Sequence, residues 1–150
     1  MRNEMKSRIF SRLVALACLA VSVAAHGADG VAVSNAWVRA TAPGQEVGAG
    51  YMDLESNVDA TLFKVESPAA DTVEIHMMSM KEGVMEMRMM ENLPLPAGKM
   101  VRLEPGGFHL MLIDLKQPLR AGETVRFLLH VKDDQGKTSQ IEVSAPVKRR

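Results

Sequence analysis

Hydrophobic residues along this chain occur in short runs, and glycine, proline and polar residues separate the runs. The segment 108–115, Phe-His-Leu-Met-Leu-Ile-Asp-Leu, is typical, because its large apolar side chains alternate as in a strand with one buried face. The same reading along the chain gives no convincing helix. It predicts strands at 31–39, 47–55, 61–66, 72–80, 84–91, 99–104, 108–115, 123–132 and 137–145. Short strands at this spacing predict a single all-β domain, an antiparallel sandwich or barrel.

The first 28 residues predict a secretory signal peptide that is not part of the fold. Its basic start contains Arg2, Lys6, Arg8 and Arg12. The apolar stretch 13–25 that follows is too short to span a bilayer of roughly 30 Å, and small residues near its end suit cleavage. We expect cleavage at about residues 25–28, a periplasmic location and a mature β domain over residues 29–150. Lipidation of Cys18, which lies inside the apolar stretch, is the alternative.

Composition excludes several functions for the mature domain. The whole chain balances 18 basic against 18 acidic residues, and no basic stripe suggests nucleic-acid binding. Cys18 is the only cysteine, so the mature domain has neither a thiol nor a disulfide. No serine–histidine motif, glycine-rich phosphate loop or carboxylate pair points to catalysis. We therefore expect a monomer that is not an enzyme and is not stably inserted in a membrane.

Methionine is concentrated in one segment of the chain. Of the fourteen residues from 77 to 90, seven are methionine. Beside them, four residues have the spacing His-x10-Met-x21-His-x-Met: His76, Met87, His109 and Met111. Thioether sulfur is a soft donor that favours Cu(I), and imidazole suits copper in either oxidation state. The set predicts a site for one Cu(I) per chain and leaves Cu(II) binding open.

Strand geometry predicts how these four residues meet. A hairpin closed around Lys81 and Glu82 would place His76 directly opposite Met87, on the same face of the sheet. His109 and Met111 are two residues apart on one predicted strand, so both side chains point to one face. We expect these two residues near the rim of the barrel, where an acceptor protein can reach the ion.

The spacing and the surrounding sequence resemble the PCuAC family of periplasmic copper chaperones. The sequence is similar to that family at residues 36–44, 48–52 and 105–112, and the resemblance extends from about residue 36 to residue 143. It implies a cupredoxin-like antiparallel β-barrel that carries one Cu(I). It also implies delivery of copper toward the binuclear centre of cytochrome c oxidase, with subunit II of the oxidase or another periplasmic copper protein as acceptor.

Three other functions remain to be weighed. A periplasmic copper buffer without a dedicated acceptor has the same sequence features. A blue-copper electron carrier requires two histidines and a cysteine, and the mature domain has no cysteine. A β-sandwich interaction module would use the methionines only for packing.

The remaining candidate residues receive structural interpretations. We expect Met52 and Met100 in the core, with Met77 and Met90, and we expect His130 to be structural or exposed. Four other methionines could either form a rim of thioethers around the ion or serve only in packing: Met78, Met80, Met85 and Met89. Trp37 and Tyr51 are expected in the core.

Overall fold

The computed structural model describes residues 30–149, so the signal-peptide prediction, including Cys18, lies outside the described residues. Within that range the regular structure is entirely β. The strands are β1 (Val31–Arg39), β2 (Val47–Ser56), β3 (Ala60–Glu66), β4 (Ala70–Lys81), β5 (Val84–Met90), β6 (Leu93–Leu95), β7 (Met100–Leu103), β8 (Phe108–Leu115), β9 (Thr124–Asp133) and β10 (Thr138–Lys148). Among residues 30–149 there is no helix long and apolar enough to cross a membrane.

The ten strands form one sheet that closes on itself. Their order is β5-β4-β8-β7-β2-β1-β10-β9-β3-β6, and a pairing between β3 and β4 at Val65 and Val73 completes the barrel. Neighbouring strands are antiparallel except β1 with β10 and β7 with β8, which are parallel. The predicted all-β barrel is confirmed. β5 lies at one end of the order, outside the closure, and pairs only with β4.

Side chains at alternate strand positions fill the barrel. Leu110 and Leu112 of β8 are completely buried, as is Phe127 of β9 apart from 1% of its surface. At Gly50 of β2 a Cβ atom would lie 3.0 Å from the Phe127 ring, so this position leaves little room for a side chain. Because consecutive residues of a strand point to opposite faces, His109 and Met111 lie on the outer face of the barrel.

Strand β6 was missed by the sequence-based prediction, which placed no strand between residues 91 and 99. Leu93 and Leu95 are both almost fully buried, and they pair with Leu62 and Ala60 of β3. A proline lacks the N–H that a central strand needs, but it is tolerated at a sheet edge. β6 is such an edge, because β3 is its one strand neighbour in the sheet order.

The hairpin register also differs from the prediction. Lys81 pairs with Val84, so the turn consists of Glu82 and Gly83, with φ angles of 50° and 79°. Positive φ at both central residues is typical of a type I′ turn, which matches the twist of a hairpin and favours glycine. The prediction placed the turn at Lys81 and Glu82, which is one residue too early at each end.

The predictions for the two isolated methionines had different outcomes. Met52 is 1% exposed, which confirms its place in the core. Met100 is 46% exposed, so the prediction that it packs in the core was wrong. It is the first residue of the short strand β7 and pairs with Glu55 at the end of β2.

Candidate metal site

Two histidines lie side by side on the outer face of the barrel. His76 of β4 is directly paired with His109 of β8, and the centroids of the two imidazole rings are 5.8 Å apart at an interplanar angle of 44°. The adjacent residues Ile75 and Leu110 point into the core and fix the faces of both strands. A metal–nitrogen bond is about 2.0 Å long, so rings at this separation leave room for one ion between them.

A cavity of about 330 Å³ opens beside His109. Its lining includes Met87, His109 and Met111, which are three of the four predicted ligands, together with Met78 and Tyr51. His76 is not among the lining residues, and it joins the group through its pairing with His109. The structure therefore brings the predicted residues to one region of the surface.

Met87 reaches this region from β5 by a different register than expected. His76 is directly opposite Met89, and Met87 is opposite Met78, so the predicted pairing of His76 with Met87 was wrong. The observed register moves every partner by two residues, which preserves the face of the sheet. Met87 is therefore a diagonal neighbour of His76, at a Cα separation of roughly 7–8 Å that a long side chain can span.

The hydrogen bonds of His76 assign its ring nitrogens. Nε2 lies 2.7 Å from Oε2 of Glu74, and an ionised carboxylate only accepts hydrogen bonds, so Nε2 carries the proton and donates it. In the neutral ring Nδ1 is then an unprotonated acceptor. This atom is buried and has no hydrogen-bond partner, the one such side-chain nitrogen or oxygen among residues 30–149. An unsatisfied buried acceptor costs about 1–3 kcal/mol, which a bound metal ion would offset.

His109 is held in a complementary way. Its Nδ1 donates to the carbonyl oxygen of Gly107 at 3.1 Å, which leaves Nε2 of the neutral ring with a free lone pair. The side chain is only 5% exposed, although it lies one residue from the start of β8, close to the end of the barrel. His109 therefore lies near the end of its strand, as expected of a residue at the rim. It is, however, more buried than the expected access for an acceptor protein requires.

Three nearby residues were not recognised as parts of the site. Glu74 orients the His76 ring through a hydrogen bond. The sequence could have indicated this role, because a carboxylate two residues from a histidine on a strand lies on the same face. Tyr51 lines the cavity, and Trp37 packs against its ring with centroids 4.5 Å apart. Tyr51 is only 5% exposed, which confirms that it is buried, but it lies on the outer face of the sheet and lines the cavity with His109. Trp37 is half-buried, so the prediction that it lies in the core was wrong.

The donor set favours a soft ion. Within the part of the chain that the structure describes, no three histidine, cysteine, aspartate or glutamate side chains gather closely enough to hold a metal ion. The side chains on this face of the sheet offer two unprotonated imidazole nitrogens and neutral thioethers, a combination suited to Cu(I) and poorly suited to hard oxygen-seeking ions.

His130 lies elsewhere and has a structural role, as predicted. Its Nε2 is 2.6 Å from Oε2 of Glu66, which links β9 to β3. The pKa of Glu66 is lowered from its usual value, first by the hydrogen bond from the Lys64 ammonium group and then by His130.

The chain belongs to the LpqE-like family, described as Putative lipoprotein LpqE-like, whose sequence pattern matches residues 31–147. One relative in Leifsonia xyli subsp. xyli, named Putative lipoprotein Lxx21020, is 37% identical over 122 residues, which are 81% of this chain and 71% of that protein.

Two solved structures have a fold similar to that of this chain. The solution structure of CuI-DR1885 from Deinococcus radiodurans shares 30% identity, with 87% of this chain and 86% of that one covered and a TM-score of 0.59. The copper-bound PCuAC domain from PmoF2 has a TM-score of 0.65 at 20% identity, over 81% of this chain and 94% of that one, a likeness of fold alone.

Proposed function

We propose that this protein is a Cu(I) carrier of the bacterial envelope, with His76, Met87, His109 and Met111 as the ligands of one ion. The observation that carries the proposal is the buried, unpartnered Nδ1 of His76 beside His109, together with a cavity lined by the three thioethers of Met78, Met87 and Met111. The copper forms of DR1885 and of the PmoF2 domain, two proteins of the same fold, support it.

The proposed ligands suit a carrier better than a permanent cofactor site. Neither imidazole nor thioether compensates the charge of the ion, and thioethers cannot be lost to disulfide formation outside the cytoplasm. His109 is almost fully buried, whereas Met87 is 50% exposed on β5. An acceptor would therefore displace Met87 first and take the ion by ligand exchange. The chemistry is transfer of an ion without catalysis.

The copper-ligand role of the methionines can be separated from packing. Replacing Met87 and Met111 with leucine roughly conserves volume, so packing alone predicts a loss below about 1.5 kcal/mol per site and no other change. We expect the double variant to fold and to lose Cu(I) to a competing chelator that the parent protein resists. Met100→Leu removes an exposed thioether of β7 that does not line the cavity, and it is the matched control. Unchanged copper affinity in the double variant would refute the ligand assignment.

Delivery toward the binuclear copper centre of cytochrome c oxidase, by way of subunit II or another periplasmic copper protein, is the proposed physiological role. A copper buffer is the competing role, and gene deletion distinguishes the two. Delivery predicts that deletion lowers oxidase activity at limiting copper and that added copper restores it. Sensitivity to excess copper with normal oxidase activity would establish buffering.

The location of the protein in the envelope can be tested at Cys18. The relatives are named as lipoproteins, which favours retaining the alternative in which this cysteine is lipidated. Signal cleavage near residues 25–28 predicts a released periplasmic protein that takes up no labelled fatty acid. Lipidation predicts uptake that Cys18→Ser abolishes. Both outcomes place the β domain outside the cytoplasm.

A further inference from the structure

The half of the β4–β5 hairpin nearest the turn carries two pairs of facing thioethers. Met78 is paired with Met87 and Met80 with Met85, and all four point to the same face as His76. β5 ends the sheet order, so these pairs extend beyond the closed barrel. Met80 is 66% exposed and Met85 is 55% exposed.

The two faces of this part of the hairpin differ in chemistry. Near the turn, the face opposite the thioethers presents Ser79, Glu86 and Arg88, with Glu86 and Arg88 forming an exposed ion pair at 3.8 Å. In the described part of the chain, Met80 and Met85 remain largely open to solvent. Met77 also lies on that opposite face, where it is paired with Arg88, and it is half-buried. Hydrophobic packing therefore does not account for the exposed methionines Met80 and Met85.

Facing methionines on a hairpin can converge on a single soft ion. Directly opposed residues have Cβ atoms about 4.5–5.5 Å apart, and residues two apart along a strand are separated by about 6.8 Å. Methionine is unbranched and has three rotatable side-chain bonds, so its sulfur can move several ångströms to meet a neighbour. A set of three or four thioethers selects Cu(I) over harder ions.

We propose that Met78, Met80 and Met85 form a second Cu(I) subsite on the hairpin, separate from the histidine site and connected to it by Met87. Met78 and Met87 line the same cavity as His109 and Met111, so the two groups of thioethers are continuous. The subsite captures an ion at the exposed turn of the hairpin. Its passage inward to His76 and His109 rests on the function proposed above, whereas binding at the subsite does not.

Titration of Cu(I) under anaerobic conditions, into protein labelled with ¹³C at the methionine methyl groups, tests the subsite. We expect the first equivalent to shift the methyl signals of Met87 and Met111. The second equivalent should shift those of Met78, Met80 and Met85. Met80→Leu with Met85→Leu should weaken the second binding step on the order of tenfold or more, because two soft donors are removed. The first step should be unchanged, and Met100→Leu should change neither.

Several results would overturn the subsite. Methyl signals of Met80 and Met85 that stay fixed through two equivalents of Cu(I) would do so, as would a second step of parental affinity in the double leucine variant. Signals that move only when a copper acceptor protein is added would make this face a docking surface. The double variant Met87→Leu with Met111→Leu should lose the binding step at the histidine site. If Cu(I) still shifts the methyl signals of Met80 and Met85 in this variant, the subsite is supported. Suppose instead that Cu(I) shifts the signals of Met80 and Met85 in the parent protein but leaves those of Met87 and Met111 unchanged. That result would refute the histidine site and leave the subsite standing.

Discussion

At the scale of single residues, the site is defined by which nitrogen of each histidine is left free. Glu74 occupies Nε2 of His76 and the Gly107 carbonyl occupies Nδ1 of His109, so each ring keeps one unprotonated nitrogen. A carboxylate behind an imidazole fixes the tautomer and raises the basicity of the ligand, a common arrangement in metal sites. The ring of His76 is therefore held in one orientation by Glu74.

Glu74→Gln should reduce copper affinity while leaving the fold intact. A neutral amide orients the imidazole less strongly, and loss of such a partner typically lowers metal affinity by about 10–100-fold. The pair is partly exposed, so its loss should cost stability no more than about 1 kcal/mol. Chelator competition and thermal unfolding measure the two effects. Glu86→Gln on the opposite face is the matched control, and an equal loss of affinity in both variants would contradict the orienting role.

The sequence predicted the four candidate ligands but not their surroundings. The spacing of His76, Met87, His109 and Met111 is visible in the chain, because strand alternation acts over two residues. Tyr51 comes from β2, and its place beside His109 depends on the pairing of β2 with β8, two strands distant in sequence that no local pattern pairs. The hydrogen bond from His76 to Glu74 could not be predicted, because it depends on the side-chain rotamer of His76.

At the scale of elements, the turn between β4 and β5 sets the alignment of the methionines. Glu82 and Gly83 both have positive φ, and glycine is the residue that adopts this region without steric cost. A Cβ at Gly83 would meet no atom within 4 Å, so only backbone strain opposes a side chain there. The register, and with it the pairing of Met78 with Met87, follows from this turn.

Substitutions in the turn should act in opposite directions. Gly83→Val places a β-branched residue at positive φ and should lower the free energy of unfolding by about 1 kcal/mol or more. Glu82→Asn places a residue that tolerates this region and should raise it by a few tenths of a kcal/mol. Urea unfolding measures both. Equal stabilities of the two variants would contradict a type I′ turn.

Strand prediction succeeded where alternation was regular and failed where an edge was involved. The nine predicted strands correspond to nine of the ten observed strands, with ends that differ by at most three residues. β6 was missed because its single pairing partner allows Pro94 in the strand. Met100 was misplaced because an exposed strand end has the same local sequence character as a buried one.

At the scale of the whole molecule, the barrel supplies a rigid platform and the hairpin supplies an accessible ligand. His76, His109 and Met111 lie on strands that are paired on both sides within the closed sheet, whereas Met87 lies on β5 at its end. The candidate site thus combines three residues on strands of the closed barrel with Met87 on the terminal strand β5. Such an arrangement suits the binding and release of an ion.

Acid stability of the barrel should depend on Glu66, which contacts Lys64 on its own strand β3 and His130 on β9. Lys64 and His130 lower the pKa of Glu66 below its usual value of 4.5, so the folded state binds this proton less readily than the unfolded state. The resulting stabilisation is fully present above about pH 4.5 and is lost as the pH falls through the lower folded pKa. Urea midpoints between pH 6 and pH 3 should therefore fall less in Glu66→Gln than in the parent protein. Glu142→Gln, an exposed carboxyl on β10, is the control, and identical pH profiles for parent and Glu66→Gln would refute this role of Glu66.

The central claim is that one Cu(I) is held through Nδ1 of His76 and Nε2 of His109 with two thioethers. Long-range ¹H–¹⁵N spectra of the imidazoles, recorded with and without one equivalent of Cu(I), test it most directly. We predict that the nitrogen signals of His76 Nδ1 and His109 Nε2 shift together and saturate at one equivalent, while His130 is unaffected. Unchanged signals for both rings, or a copper-induced shift confined to Nε2 of His76, would contradict the account.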